Sequence, residues 1–411
     1  MASIQFQTDE VSSPDESKFD RQERISWWDQ DRLSQARVMV VGAGAIGNEV
    51  LKNLALLGIG HLFVVDFDTI ETSNLSRTVL FRPEDQGKRK VDVAVERTRS
   101  LGLADDFTVH GLHGDVVWDV GTGIFRRMDI VLGCLDNVEA RMNVNRESWL
   151  AETPWIDAGI NKLGMHVTTY VPPSPPCYEC NLSESKREDA GIRYSCQHFK
   201  REFYEEGKVP TTQVASSLVA ALQTQEAIKL LCDQKPEVGS RIYFQGLKND
   251  FQIFDRRPNP DCGVHDLEYP SVNTLNFTRS DSLRSFLERV SKPDASGKGA
   301  TLDLRSDYIF VASVQCQECE SKISFDKPGF RIYDTDIVCG ECGHGSVDSS
   351  GEISSQMETI SELKLGEISS RYLEFSLEEL GFSHGHVASV RDKNGSYDYY
   401  EIGGDFTNLL P

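Results

Sequence analysis

The chain has 411 residues, 39% of them hydrophobic, with 64 acidic side chains against 43 basic ones and a formal net charge of -21. That length supports two or three domains with substantial cores. The charge excludes a surface built for nucleic acid or anionic lipid and favours a basic partner. No apolar run reaches the roughly 20 residues that a membrane-spanning helix needs.

Residues 1–18 are polar and acidic without apolar periodicity, and we read them as a mobile arm. Acids stand where a secretory leader needs a basic start, so the expected compartment is the cytoplasm. From residue 19 onward, apolar runs alternate with helical patterns, the signature of a parallel sheet covered by helices. Strands are predicted at 37–41, 61–66, 108–111, 130–134 and 154–159. The stretch Thr211 to Cys232, rich in small residues at helical spacing, is predicted as a core helix.

Gly42, Gly44 and Gly47 fit G-x-G-x-x-G between the first strand and a helix, where absent side chains let backbone approach a phosphate. Asp66 closes the next strand, 19 residues after Gly47, where a carboxylate can accept from both ribose hydroxyls. These marks suit NAD and ATP equally.

The following segments decide between them. Asp66 and Asp68, Ser73-Asn74-Leu75 with Arg77, Gly87 to Lys90, Asp136-Asn137 with Arg141 and Asn143, and the upstream Phe19-Asp20-Arg21-Gln22 stand in order along the chain. Over residues 19 to 265 this set resembles the ThiF/MoeB/HesA-type adenylating enzymes, which activate the C-terminus of ubiquitin and of sulfur-carrier proteins. The resemblance implies a Rossmann-like, doubly wound, mostly parallel sheet that binds ATP and magnesium. It implies Asp66 as the ribose ligand, Asn74, Arg77 and Lys90 as triphosphate contacts, and Asp136 as the magnesium acid, with Gly42, Gly44, Gly47, Asp68 and Asn137 completing the nucleotide site. Arg21 matches an arginine that reaches into the partner subunit's site, which implies a homodimer or a pseudo-symmetric heterodimer. Two positions depart from the pattern, Phe19 for its usual tyrosine and Thr78 for its glutamine, and neither alters a charge.

Ten cysteines in a reducing compartment are read for metal and reactivity before disulfides. Cys177-x-x-Cys180 with Cys262-x-x-His265 can make a tetrahedral Cys₃His zinc site, and four protein ligands leave no open position for catalysis. Cys316-x-x-Cys319 and Cys339-x-x-Cys342 have the spacing of a zinc ribbon. His344 is surplus to it and expected at the surface.

Cys134 and Cys232 lie in apolar settings and are expected in the core. Cys196 sits in a polar segment, 181–210, beside Arg193, His198, Lys200 and Arg201, cations that would lower a thiol pKa. By the same resemblance this is where the ubiquitin-activating branch carries its thioester cysteine. The expected organisation is an adenylation domain over 19–268 and a C-terminal domain over 269–411 that contains the ribbon and has 13 basic against 23 acidic residues. The expected partners are a β-grasp carrier with a C-terminal glycine and a conjugating enzyme. Sulfur-carrier activation and a non-catalytic partner subunit are the other readings of the same marks.

Overall fold

The computed structural model describes residues 17–183, 211–291, 301–303, 310–316, 318–332, 336–343, 357–360, 362–364, 370–392 and 394–404. Its largest element is an eight-stranded sheet. In spatial order it runs β3 (Thr108–Leu112), β2 (His61–Val65), β1 (Arg37–Val41), β4 (Ile130–Gly133), β5 (Trp155–Asn161), β6 (Gly164–Tyr170), β7 (Ser240–Gln245) and β8 (Asp250–Asp255). The first five are parallel, and β6 to β8 continue the sheet antiparallel. All five predicted strands are present, β1 with the predicted ends and the other four with ends shifted by at most two residues.

Strand periodicity divides the core in two. Val38, Val40, Leu62, Val64, Ile130 and Leu132 face the helices Ala45–Leu56 and Gln213–Leu231. Met39, Val41, Phe63, Val65, Val131 and Trp155 face the opposite layer, which includes Val116, Phe125 and Val144. Helices on both faces explain why β1 has no polar alternation: both rows of its side chains are buried. The predicted core helix is Gln213–Leu231, with Thr212 capping its first turn by accepting from the Ala215 N–H at 3.2 Å. Its buried Gln223 donates to the carbonyls of Gly133 and Ile156 at 3.0 and 2.8 Å, satisfying an amide that would otherwise be costly so deep. Cys232 is buried in this core as expected, whereas Cys134 is only partly buried and packs against it from the carboxyl end of β4.

Two further sheets follow. One has the order β14 (Glu362–Lys364), β10 (Thr301–Asp303), β15 (Val387–Arg391), β16 (Tyr397–Ile402) and β9 (Val272–Leu275). It packs the helix Leu283–Val290 through Leu283, Phe286 and Leu287 into a separate core. The other is three-stranded, β12 (Lys322–Pro328), β11 (Phe310–Gln315) and β13 (Met357–Ile360).

The unit of the five-stranded sheet is joined to the first sheet's unit by backbone hydrogen bonds. The Gly121 N–H donates to the His384 carbonyl at 2.8 Å and the Gly123 N–H to the Gly385 carbonyl at 2.9 Å. A Cβ on either glycine would stand within 2.8 Å of the Gly385 oxygen, so only glycine admits this approach. Arg127 pairs at 2.7 Å with the buried carboxylate of Glu401, and Trp118 stacks on Phe330 at 4.3 Å. No described helix is long and apolar enough to cross a membrane.

Candidate nucleotide site and metal centres

The strand order reverses between β1 and β4, and in open α/β sheets ligands bind beyond the carboxyl ends of the strands at such a point. A cleft of about 1160 Å³ opens there. The glycine turn leaves β1 on one side, and Asp136 and Asn137 follow β4 on the other.

The three glycines do different work. Gly42 has φ +96°, and a Cβ on it would lie 2.5 Å from the Cys134 carbonyl oxygen. Gly44 caps the helix Ala45–Leu56 and has nothing within 4 Å of where a Cβ would stand, leaving backbone open to a phosphate. Gly47 does not line the cleft; a Cβ there would fall 1.9 Å from the Gly42 carbonyl oxygen, so it lets helix and turn close together. Gly47→Ala should therefore lower the urea unfolding midpoint, at a cost of about 1–3 kcal/mol, whether or not nucleotide is present.

Asp66 is 9% exposed, and its carboxylate accepts from the N–H of Ala43 at 2.7 Å and of Asp68 at 2.8 Å. Burial pushes its carboxyl above the ordinary range, opposed by the Lys90 ammonium and the two backbone donors. Its oxygens retain lone pairs for ribose hydroxyls, donors that would replace lost water. Lys90, also 9% exposed, pairs with Asp68 at 2.7 Å. Asn74 is anchored by accepting from the Glu71 N–H at 2.9 Å, and the Arg77 guanidinium donates to the Ser73 carbonyl at 2.8 Å. Asn137 caps the helix Val138–Ala151 through the Ala140 N–H at 2.8 Å, beside Asp136.

Asp66, Asp68, Asn74, Arg77, Lys90, Asp136 and Asn137 thus all reach one cleft. Thr78 reaches it as well, with its hydroxyl bonded to the Asn74 carbonyl at 3.0 Å. Arg21, on the short helix Asp20–Glu23, is exposed and is not among the residues lining this cleft. Cys196, its neighbouring cations and His344 lie outside the described residues.

The cleft extends past the nucleotide residues to Arg141, Gly159, His166 and Tyr243, a half whose role the motifs did not indicate. The available signal was an acid and a histidine, Asp157 and His166, inside the apolar strands β5 and β6. Buried polar residues in such strands need partners.

Both cysteine groups assemble. Cys177 Sγ lies 3.7 Å from Cys180 Sγ and 3.6 Å from Cys262 Sγ, and His265 Nε2 lies 3.3 Å from Cys180 Sγ. Cys316 and Cys342 are 3.6 Å apart and Cys319 and Cys339 3.5 Å. In each group all four ligand atoms fall within 4.8 Å of one another. Zinc–sulfur bonds of about 2.3 Å at tetrahedral angles give sulfur–sulfur separations of about 3.8 Å, so either group could hold zinc. Trp149 stacks on the His265 ring at 4.7 Å and helps set its orientation. The Ser321 hydroxyl, 3.0 Å from both Cys319 and Cys339 Sγ, is the first cause holding the Cys339 thiol down to about 6.

Comparison with known proteins agrees with this geometry. The model of the ThiF family matches residues 19–264. The chain is 36% identical to SUMO-activating enzyme subunit 2 of Dictyostelium discoideum over 151 residues, covering 36% of this chain but only 22% of that protein. It is 30% identical to the sulfur carrier protein adenylyltransferase of Thermus thermophilus over 241 residues, covering 57% of this chain and 84% of that one. Among solved structures, E. coli MccB with ATP is similar at a TM-score of 0.50 and 25% identity, covering 61% of this chain and 75% of that one. The chain therefore belongs to the ThiF family, whose model spans the eight-stranded sheet, the glycine turn and the acids and bases that converge on the cleft.

Proposed function

We propose that this chain activates the C-terminal carboxylate of a ubiquitin-like protein and passes it, through a thioester at Cys196, to a conjugating enzyme. The observation that carries the first step is the convergence of Asp66, Asn74, Arg77, Lys90 and Asp136 on one cleft. It suits a nucleotide triphosphate better than a dinucleotide, because Arg77 and Lys90 place cations where no nicotinamide chemistry uses them.

In that step a carboxylate oxygen attacks the α-phosphorus of ATP, the bond to the β-phosphate oxygen breaks, and pyrophosphate leaves. No base is required, since the nucleophile is already an anion. Rate comes from holding two anions in line and from cations aimed at the phosphates, which Arg77 and Lys90 supply, joined in our reading by Arg21 from the partner of a homodimer. Asp66 and Gly44 fix the nucleoside and the backbone approach. Asp136, with Asn137 beside it, would hold a magnesium ion that balances the charge of the departing pyrophosphate. In the second step the Cys196 thiolate attacks the acyl carbon, and AMP leaves with the electron pair of the acyl–oxygen bond.

The sulfur carrier protein adenylyltransferase relative, matched over most of its length, favours a second reading in which the adenylate is attacked by a sulfur donor. ATP–pyrophosphate exchange, assayed over a panel of small β-grasp proteins ending in glycine and followed by non-reducing electrophoresis, separates them. We expect exchange with one carrier and a thiol-sensitive adduct. Cys196→Ala should abolish the adduct and leave exchange within about twofold, because adenylation does not use the thiol; persistence of the adduct would remove Cys196 from the scheme. Exchange without any adduct supports the sulfur-carrier reading. No exchange with any carrier refutes carboxylate activation.

A further inference from the structure

One wall of the cleft is built on helices too short to hold themselves. Gly44 and Lys90 open helices packed in the core layer of Val50 and Val91, whereas Gly114, Asp115 and Val116 line the cleft from the opposite layer. Those three residues lead into the helices Val116–Asp119 and Thr122–Phe125. Four residues are far below the length at which a helix is stable alone, and the backbone groups at its ends need partners from elsewhere.

The C-terminal unit supplies them. The Asp119 carbonyl, at the end of the first helix, accepts from the His384 N–H at 3.0 Å. The Gly121 and Gly123 N–H groups, at the start of the second, donate to the His384 and Gly385 carbonyls. Gly121 is the N-cap of that helix and has no side chain with which to cap it. Residues 384 and 385 therefore close both helices at once. Arg127 adds a second strut, donating to the Gly123 carbonyl at 2.7 Å while it pairs with the buried Glu401. Trp118, stacked on Phe330, is a third.

Asp119 carries this anchorage to the cleft. Its carboxylate accepts from the Asp115 N–H at 2.8 Å, and a Cβ on Gly114 would stand 2.9 Å from the same oxygen. From the other side, Asn143 donates to the Val116 carbonyl at 3.0 Å and the Thr122 hydroxyl bonds Glu147, both from the helix that Asn137 caps. The wall is thus clamped between that helix and the C-terminal unit.

We propose that the C-terminal unit is a working part of the nucleotide site: by capping these two helices it holds the wall at Gly114, Asp115 and Val116 in place and raises the affinity for ATP, with Asp119 as the positioning residue. This rests on the reading of the cleft as an ATP site. The family match ends at residue 264, before β9, so the capping comes from a part of the chain outside it. Linkage makes the effect reciprocal: ATP must tighten the contact at 384 and 385 by the factor that the contact lends to ATP.

The test is calorimetric titration of ATP with magnesium into the full-length protein. The double variant Phe330→Ala/Glu401→Gln changes only residues outside the cleft and should weaken ATP binding about three- to tenfold, the scale of losing a helix cap. In the wild-type protein, ATP should slow amide hydrogen exchange over residues 380–388 as well as 114–125, a response that packing without coupling does not give. Thermal melts establish whether the double variant folds; should it not, the exchange over 380–388 decides the matter. A folded double variant with wild-type ATP affinity, or exchange over 380–388 that ATP leaves unchanged, overturns the proposal. If the wild-type protein binds no ATP, the reading of the cleft as a nucleotide site falls and this proposal with it.

Discussion

Lys90→Ala is expected to slow ATP–pyrophosphate exchange by about 10²-fold or more, the usual consequence of removing a preorganised charge from a phosphoryl or acyl transition state. The reason is geometric. The ammonium is nearly buried at the end of a helix facing the cleft, and its described partner, Asp68, has a half-exposed side chain. An incoming triphosphate offers a stronger partner for the same charge. Lys90→Arg should recover only part of the rate, because a broad planar guanidinium cannot occupy the place of a compact ammonium. The fold should survive both changes, since Asp68, the partner left behind, is half-exposed and can be solvated by water. Thermal melting alongside the exchange assay checks this. A Lys90→Ala protein that folds and exchanges at the wild-type rate would count against the phosphate role.

The second large effect is expected at Cys177. The Cys177, Cys180, Cys262 and His265 group ties the segment after β6 to a turn 85 residues later in sequence. Zinc bound at such a site contributes on the order of 10 kcal/mol of binding free energy that is also folding free energy. Cys177→Ser should therefore lower zinc content from two ions per chain to one and cost most of the stability of the eight-stranded unit. Cys316→Ser should remove one zinc with a smaller change, because its group ties only the hairpin region of the three-stranded sheet. Metal analysis of purified protein and thermal unfolding distinguish the two. Equal melting temperatures for Cys177→Ser and wild type would show that the first group is not a structural metal centre.

The nucleotide half of the cleft was legible in the chain because each of its parts is local. A glycine turn needs glycine at fixed offsets, a buried parallel strand needs an unbroken apolar run, and C-x-x-C needs only two residues of spacing. Each requirement is met within a few positions, and family order along the chain did the rest. The helix Gln213–Leu231 was visible for the same reason.

The second half of the cleft was not. Asp157, His166 and Arg141 lie on two strands and a helix, and no local pattern joins an acid at 157 to a base at 141. The junction between the sheets was equally hidden. Gly121 and Gly123 read as ordinary loop glycines until the Gly385 carbonyl is seen against them. Nor did the strands of the five-stranded sheet announce their order, since β9 pairs parallel with β16 across more than 100 residues of intervening chain.

Composition, periodicity and short-range motifs were thus enough for the parallel sheet, the glycine turn and eight metal-ligand candidates, while the acids and bases around that turn were singled out by the family resemblance. Folding decided what those features share: one cleft, a buried Arg141–Asp157 ion pair beside it, and a second unit locked to the first through two glycines. Local requirements are written in residues a few positions apart, whereas buried ion pairs and close backbone contacts depend on distances that exist only once the chain has closed on itself.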